Sequence, residues 1–328
     1  MIGAQNGPQP HDRADRDAGS PDAAQVTGDV VAVVGPTATG KTALSLALAH
    51  ALGGEVVNAD SMQLYRGMDI GTAKLGPDER EGVPHHAFDL WEITEAASVA
   101  EYQGVARAAI DDIRRRGRTP LLVGGSGLYV RAVLEHFEFP GTDPDLRARL
   151  ETELAAVGPV PLHARLAARA PDAAARILPS NGRRIVRALE VLELTGQPII
   201  ARLPQPRPYY RSVHIGVDLD AATLDERVAT RVDGMWRQGF VDEVRALESR
   251  GLRRGRTASR ALGYQQVLAY LAGECSEERA REDTVRATRR FVRRQWSWFG
   301  RDDRIVWLDG AAADLTDRAV AVAAGHDG

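Results

Sequence analysis

The chain has 328 residues, of which 44% are hydrophobic and 27% charged, and its formal net charge is −3. This profile is typical of a globular protein with more than one domain and excludes a largely disordered chain. No apolar stretch approaches the ~20 residues that span a bilayer, and the N-terminus lacks the basic-then-apolar pattern of a secretory signal. Cys275 is the only cysteine, which excludes internal disulfides and a cysteine-rich zinc site and favours the reducing cytoplasm.

A glycine-rich loop follows the N-terminal region. Residues 1–28 lack periodicity and predict a disordered tail without a catalytic role. Residues 30–34 predict a buried strand and residues 43–52 a helix. The loop between them matches the phosphate-binding pattern G-x-x-x-x-G-K-[ST] with the residues Gly35-Pro36-Thr37-Ala38-Thr39-Gly40-Lys41-Thr42.

This P-loop predicts a site for a diphosphate or triphosphate. Glycines let the backbone approach an anion, and the helix N-terminus adds partial positive charge. Lys41 is expected to reach the terminal phosphates and Thr42 to hold Mg²⁺. Lysine occurs only here and at Lys74, and a compact point charge suits a phosphate cradle better than the planar fork of arginine. The motif does not say which bond breaks.

Asp60 follows a second predicted strand, residues 56–59, and so lies at the edge of the sheet where α/β proteins bind ligands. Its carboxylate could bind magnesium through water, accept a proton, or only cap the next turn. Residues 65–74 form a long polar loop of the kind that often carries function. His85 and His86 are adjacent, which favours a structural role over a shared metal.

A third strand, residues 119–123, ends in a glycine turn that brings Ser126 to the same edge. Before it, residues 98–117 predict a helix capped by Ser98. From 140 to 208 the strands stop, and proline-broken helical spacing predicts an insertion between two parts of the core, 29–139 and 209–328. Within it, a helix that starts near residue 181 carries Arg183, Arg184 and Arg187, either for phosphate contacts or for surface ion pairs such as Arg187 with Glu190.

The C-terminal part predicts a strand at 214–219, an amphipathic helix at 227–250, a helix from residue 259, a basic helix at 279–299 and a last strand at 304–308. Residues 245–304 hold 15 arginines against 8 acidic residues. Such a run is usually a solvated helix surface, but beside a phosphate site it favours an RNA or polyphosphate partner. The predicted fold is α/β, a P-loop NTPase-like parallel sheet core with a helical insertion domain. Three functions remain open: an ATP-dependent small-molecule kinase, a transferase that holds a pyrophosphate, and a non-catalytic nucleotide-dependent RNA-binding module.

Several segments together resemble the bacterial tRNA dimethylallyltransferases (tRNA isopentenyltransferases), over about residues 31–308. They are the P-loop, NADSMQLYRGMDIGTAK (58–74), VPHH (83–86), LVGGSGLY (122–129), RRIVRALE (183–190) and LGY (262–264). The block 58–74 is far more specific than a P-loop. The resemblance implies transfer of the dimethylallyl group from dimethylallyl diphosphate to N6 of adenosine 37, in tRNAs that read codons beginning with U.

The same resemblance implies roles for individual residues. Asp60 would be the general base, Ser126 would hold the reacting base, and the P-loop with Lys41, Thr42 and Mg²⁺ would grip the diphosphate, not ATP, helped by Arg131 or Arg260. The segments implied to contact the anticodon stem-loop are Asp60, Ser61, Met62, Gln63, Ser126, Arg183, Arg184, Ile185, Val186, Arg187, Gly263 and Tyr264. Ser126 and Thr39 stand where the family usually has Thr and Ser. We expect a monomer in the cytoplasm without membrane association.

Overall fold

A computed structural model describes residues 26–137, 139–198 and 207–325. Nearly all of the predicted N-terminal tail, residues 1–25, lies outside these ranges. The sheet has six strands, all parallel, in the order β3-β2-β4-β1-β5-β6. Their bounds are β1 Val30–Val34, β2 Gly54–Asn58, β3 His85–His86, β4 Thr119–Gly124, β5 Ser212–Asp218 and β6 Ile305–Asp309. The predicted α/β class with a parallel P-loop core is confirmed.

Helices cover both faces of the sheet, and a separate group forms the insertion. In chain order they are α1 Lys41–Leu52, α2 Val99–Arg115, α3 Gly127–Leu134, α4 Pro144–Val157, α5 Pro159–Arg169, α6 Pro171–Ala174, α7 Gly182–Thr195, α8 Ala221–Arg237, α9 Phe240–Ser249, α10 Tyr264–Leu271, α11 Glu277–Phe299 and α12 Leu315–Ala323. None of the helices that the structure describes is long and apolar enough to cross a membrane.

Strand β1 shows why the sheet is buried on both sides. Its alternate residues Val30, Ala32 and Val34 pack into the core shared with α2, α3, α9 and α10. Val31 and Val33 pack on the opposite face against α1 and α12. Because successive side chains of a strand point to opposite faces, a run of five apolar residues fits a central strand covered on both sides.

The helices α4–α7 have an apolar core of their own, in which Leu150, Leu166, Ile185 and Leu189 are each no more than 1% exposed. At its edge the carboxylate of Glu190 is fully buried and ion-paired with two arginines. These helices lie within residues 140–208, and their assignment to an insertion domain stays a prediction.

Two sequence-based helix predictions are wrong. The helix expected from residue 259 is a single 3-10 turn, Ala258–Arg260, and α10 begins only at Tyr264. The amphipathic stretch 227–250 is two helices, α8 and α9, because Gly239 adopts a left-handed conformation with φ of 93°. Only glycine takes such an angle without steric cost. The break turns α9 so that it packs beside α10, and both helices then reach the loop that follows β2.

Candidate active site

The P-loop joins the end of β1 to the start of α1, and the fold fixes its shape. Gly35 has φ of 130°, and a Cβ there would lie 2.5 Å from the carbonyl oxygen of Val217. Gly40 precedes α1 in a left-handed conformation, with φ of 102°. The hydroxyl of Thr39 donates to the Pro36 carbonyl at 2.9 Å. The loop residues Thr37, Ala38, Gly40, Lys41 and Thr42 line a cavity, where an anion cradle of this motif would lie.

Lys41 lies against its own loop and is easily neutralised. Its ammonium donates to the Pro36 carbonyl. Burial, helped by the charge of Arg231 and opposed by the Asp60 carboxylate, lowers the pKa of Lys41 to about 7. An anion in the loop would favour the charged form, so the lysine is matched to a ligand that carries negative charge.

Asp60 follows β2 and uses its two carboxylate oxygens differently. Its Oδ1 accepts from the Met62 amide at 2.9 Å, while its own amide donates to Asn58 Oδ1 at 2.8 Å. The predicted turn-capping role is therefore present. Among the described residues no hydrogen bond reaches Oδ2, which leaves this oxygen available to accept a proton.

Two cavities meet at Asp60. One, of about 510 Å³, lies beside the P-loop and is lined by Lys41, Thr42 and Arg231 among others. The other, of about 280 Å³, has a mainly apolar wall that includes Met62, Val232, Met235, Leu262, Tyr264 and Phe291. Thr37, Asp60, Thr72 and Arg231 line both. The cavity beside the P-loop, called the anion cradle below, therefore adjoins the second cavity, called the apolar pocket. The carboxylate of Asp60 lies between them.

Ser126 reaches the same place from the neighbouring strand. Its hydroxyl oxygen accepts from the Ser61 amide at 3.1 Å and lies 3.2 Å from the Ser61 hydroxyl. Gly124, at the end of β4, makes this possible, since a Cβ there would lie 2.3 Å from the backbone of Ala59. Ser126 lines the apolar pocket, as predicted for a residue at this edge.

Several residues of the site were not predicted from the sequence, among them Phe291 and Arg294 of α11, which line the apolar pocket. Arg227 and Arg231 project from α8 into the P-loop cavity. Gln295 of α11, only 5% exposed, accepts from the Thr37 amide at 3.0 Å and donates to the Gly125 carbonyl at 2.9 Å. The only local signal was the spacing of four between the two arginines, which places them on one helix face.

Arg131 and Arg260, the two arginines expected to help hold the diphosphate, lie in different surroundings. Arg260 lines the apolar pocket and is exposed. Arg131 donates to the buried carboxylate of Glu135 at 2.6 Å, which gives it a structural partner away from the P-loop.

Lys74 also has a structural role. Its ammonium, 3% exposed, donates to the Tyr65 carbonyl at 2.9 Å and to Asp69 and Asp89 at 2.7 Å. The occurrence of a lysine in this lysine-poor chain therefore does not by itself indicate phosphate binding.

The residues implied to contact tRNA fall into two groups. Those around the two cavities are Asp60, Ser61, Met62, Gln63, Ser126, Gly263 and Tyr264. In α7, Arg183 and Arg184 are exposed, whereas Arg187 pairs with Glu190 at 2.9 Å, the ion pair considered above. Ile185 and Val186 are 0% and 4% exposed and pack in the insertion core, so they offer no side-chain surface to a partner.

The donor set suits a magnesium ion held jointly with a substrate. Among the described residues no three His, Cys, Asp or Glu side chains cluster as a metal site. The exposed hydroxyl of Thr42 and the carboxylate of Asp60 line the same cavity. Mg²⁺ is commonly bound by one or two protein oxygens together with substrate phosphates and water, so the Thr42 hydroxyl fits the ion, and Asp60 could reach it only through water.

Comparison with known proteins gives a consistent result. Residues 63–302 match the model of the family described as IPP transferase. A tRNA dimethylallyltransferase of Salinispora arenicola is 73% identical over 293 residues, which cover 89% of this chain and 86% of the relative. One of Streptomyces coelicolor is 66% identical over 288 residues, 88% of this chain and 92% of the relative.

Solved structures agree in fold. The tRNA isopentenylpyrophosphate transferase of Bacillus halodurans superposes with a TM-score of 0.66 at 41% identity, covering 89% of this chain and 93% of the other. A eukaryotic dimethylallyltransferase acting on tRNA superposes with a TM-score of 0.77 at 26% identity, covering 89% and 77%.

Proposed function

The chain belongs to the IPP transferase family, and from this premise we propose that it transfers the dimethylallyl group of dimethylallyl diphosphate to N6 of adenosine 37 in tRNAs. These tRNAs would read codons that begin with U, and diphosphate would be released. The observation that carries the proposal is the position of Asp60, at the junction of an anion cradle and an apolar pocket.

The chemistry follows from this junction. The exocyclic amine of adenine is a weak nucleophile, so a base must take its proton as the new bond forms. N6 attacks C1 of the dimethylallyl group, and the bond from C1 to the diphosphate oxygen breaks. The electron pair leaves with diphosphate, and the N6 proton passes to Oδ2 of Asp60.

Groups that can stabilise the negative charge of the leaving diphosphate already line the anion cradle. The P-loop amides, Lys41 and Arg231 surround the cavity where diphosphate would lie, and fixed dipoles and charges stabilise developing charge without reorganisation. Thr42 would hold Mg²⁺, which when bound neutralises part of the phosphate charge.

The apolar pocket suits the other two reacting parts. A target base must leave the stack of the anticodon loop to reach an enzyme's active site. The wall with Met62, Tyr264 and Phe291 offers apolar and aromatic contacts to a flipped purine and to the isoprenoid carbons. Ser126 would hold the base near Asp60.

RNA binding would use the arginine-bearing surfaces outside these cavities. Arg183 and Arg184 are exposed at the start of α7, and arginines commonly position nucleic acids through phosphate contacts. We propose that the insertion contacts the anticodon stem-loop in this way. We also propose that the protein acts as a monomer in the cytoplasm.

Phosphoryl transfer from ATP, the kinase alternative, has no supporting observation in the described residues. A P-loop kinase holds Mg²⁺ with an aspartate at the end of a second strand, whereas β4, which pairs with β1, ends in Gly124.

Product analysis tests the proposal. Purified protein is incubated with dimethylallyl diphosphate, Mg²⁺ and an unmodified anticodon stem-loop RNA, and digested nucleosides are analysed by mass spectrometry. We expect dimethylallyladenosine at position 37 and one diphosphate per transfer. Asp60→Asn, which keeps the Oδ1 acceptor, should reduce turnover by about 10²–10⁴-fold with pyrophosphate still bound. Phosphorylated product from ATP, or full activity of the variant, would contradict the proposal.

A further inference from the structure

One carboxylate holds the loop after β2 against helix α9. The backbone amides of Asp69, Ile70 and Gly71 donate to Glu243 at 3.1, 2.6 and 3.2 Å. The phenol of Tyr264 donates to the same carboxylate at 2.7 Å. No cationic side chain among the described residues pairs with Glu243. Four neutral donors from two separate segments therefore converge on this group.

Both of these segments are walls of the apolar pocket. Gly71 and Tyr264 line it, and Glu243 does not. The ring of Tyr264 packs edge-on against Phe240 with centroids 5.0 Å apart. A Cβ on Gly71 would lie 2.2 Å from a ring carbon of Phe240. The loop backbone and the rings are thus in direct contact, and Glu243 bonds to both sides of that contact.

Thr72 is the next residue of the loop. It connects the anion cradle to the four hydrogen bonds on Glu243, which together are called the clamp. The carbonyl of Thr72 accepts from Arg231 at 3.2 Å and from Gln63 at 3.1 Å. Arg231 lines both cavities. Because Thr72 directly follows the three clamped amides, a displacement of residues 69–71 would move the acceptor that orients the Arg231 guanidinium.

We propose that Glu243 is a positioning residue, which sets the distance between the two walls of the apolar pocket and, through Thr72, the direction of Arg231. It acts through these groups and touches no substrate. As a role in prenyl transfer the proposal rests on the proposed function, but the clamp and its effect on anion binding do not.

Hydrogen–deuterium exchange of the free protein tests the clamp itself. In Glu243→Gln the side-chain amide keeps one acceptor oxygen. Its NH2 group replaces the second oxygen and faces backbone N–H groups that also donate. We expect the amides of residues 69–71 to exchange at least about tenfold faster, because each bond to a charged acceptor is lost or weakened. The matched control is Asp242→Asn, whose carboxylate, on the same helix, pairs with Arg245 at the surface and should leave this exchange unchanged. Equal exchange in wild type and Glu243→Gln would overturn the clamp.

Binding of inorganic pyrophosphate tests the link to Arg231. We expect Glu243→Gln to weaken binding about tenfold and Arg231→Met to weaken it further, with little added loss in the double variant, since coupled residues are non-additive. Full additivity would overturn the link and leave Glu243 a merely structural residue. If Glu243→Gln does not fold, Tyr264→Phe removes one donor and should accelerate exchange at 69–71 by a smaller factor; no acceleration would likewise overturn the clamp. Failure of the wild type to prenylate RNA would refute the proposed function, whereas these two measurements would still decide the role of Glu243.

Discussion

Diphosphate binding should weaken as the pH rises above about 7, because Lys41 then loses its proton. Burial sets the pKa of this lysine to about 7 in the free protein, with the Arg231 charge acting in the same direction and Asp60 opposing it. A bound diphosphate favours the ammonium form and raises the pKa. Binding should therefore take up a proton at pH values between the pKa of Lys41 in the free protein and its higher pKa in the complex.

The size of the effect follows from that pKa. About one pH unit above it, roughly nine in ten lysines are neutral, so affinity should fall about tenfold between pH 6 and pH 8, or about 1.4 kcal/mol. Calorimetric titration with inorganic pyrophosphate, in buffers of different ionisation enthalpy, measures both the affinity and the proton uptake. We expect uptake approaching one proton at the higher pH, beyond that of the ligand.

The control is Lys41→Arg, whose guanidinium stays charged throughout this range. Ionisation of the ligand contributes equally to both proteins, so the difference between them isolates Lys41. The same pH dependence and proton uptake in both would refute the assignment of a neutralised lysine in the cradle.

Three other predictions address the surroundings of the site. Gly71→Ala should lower the melting temperature, at a cost of about 1–3 kcal/mol for overpacking against Phe240, and unchanged stability would contradict the tight contact. Glu190→Gln should destabilise the protein by about 1–3 kcal/mol at neutral pH, because the two half-buried arginines lose their charged hydrogen-bond acceptor. Although burial alone would raise it, hydrogen bonds hold the pKa of Glu190 at about 2, so this difference, read from chemical denaturation, should shrink as the pH falls from about 4.5 toward 2. Gln295→Glu should weaken pyrophosphate binding about tenfold, because a carboxylate would face the Gly125 carbonyl. Unaltered binding would show that the hydrogen bonds of Gln295 to Thr37 and Gly125 do not support the anion cradle.

Strands and helix caps that depend on neighbouring residues in the chain were predicted correctly from local sequence patterns. The strand Val30–Val34 has the predicted bounds, and Ser98 caps its helix by accepting from the Glu101 amide at 3.2 Å. Both signals are short-range, a continuous apolar run and a capping residue before a helix. The same is true of Asn181, which caps α7 through the Arg184 amide.

Contacts between distant segments could not be predicted in this way. Gln295 bonds to Thr37 across 258 residues of sequence and Glu243 to Ile70 across 173, and nothing near either residue indicates its partner. Arg231 has no sequence signal beyond its spacing of four from Arg227. Its place in the site depends on the packing of α8 beside the P-loop, which only the folded chain shows.

A structure of the complex with an unreactive thio-analogue of dimethylallyl diphosphate and an anticodon stem-loop RNA would locate both substrates relative to Asp60. We expect the diphosphate in the loop of residues 35–42, the isoprenoid carbons in the apolar pocket, and N6 of the flipped adenine within about 3 Å of Asp60 Oδ2. ATP bound in that loop in preference to the analogue, or an adenine placed away from Asp60, would contradict this expectation.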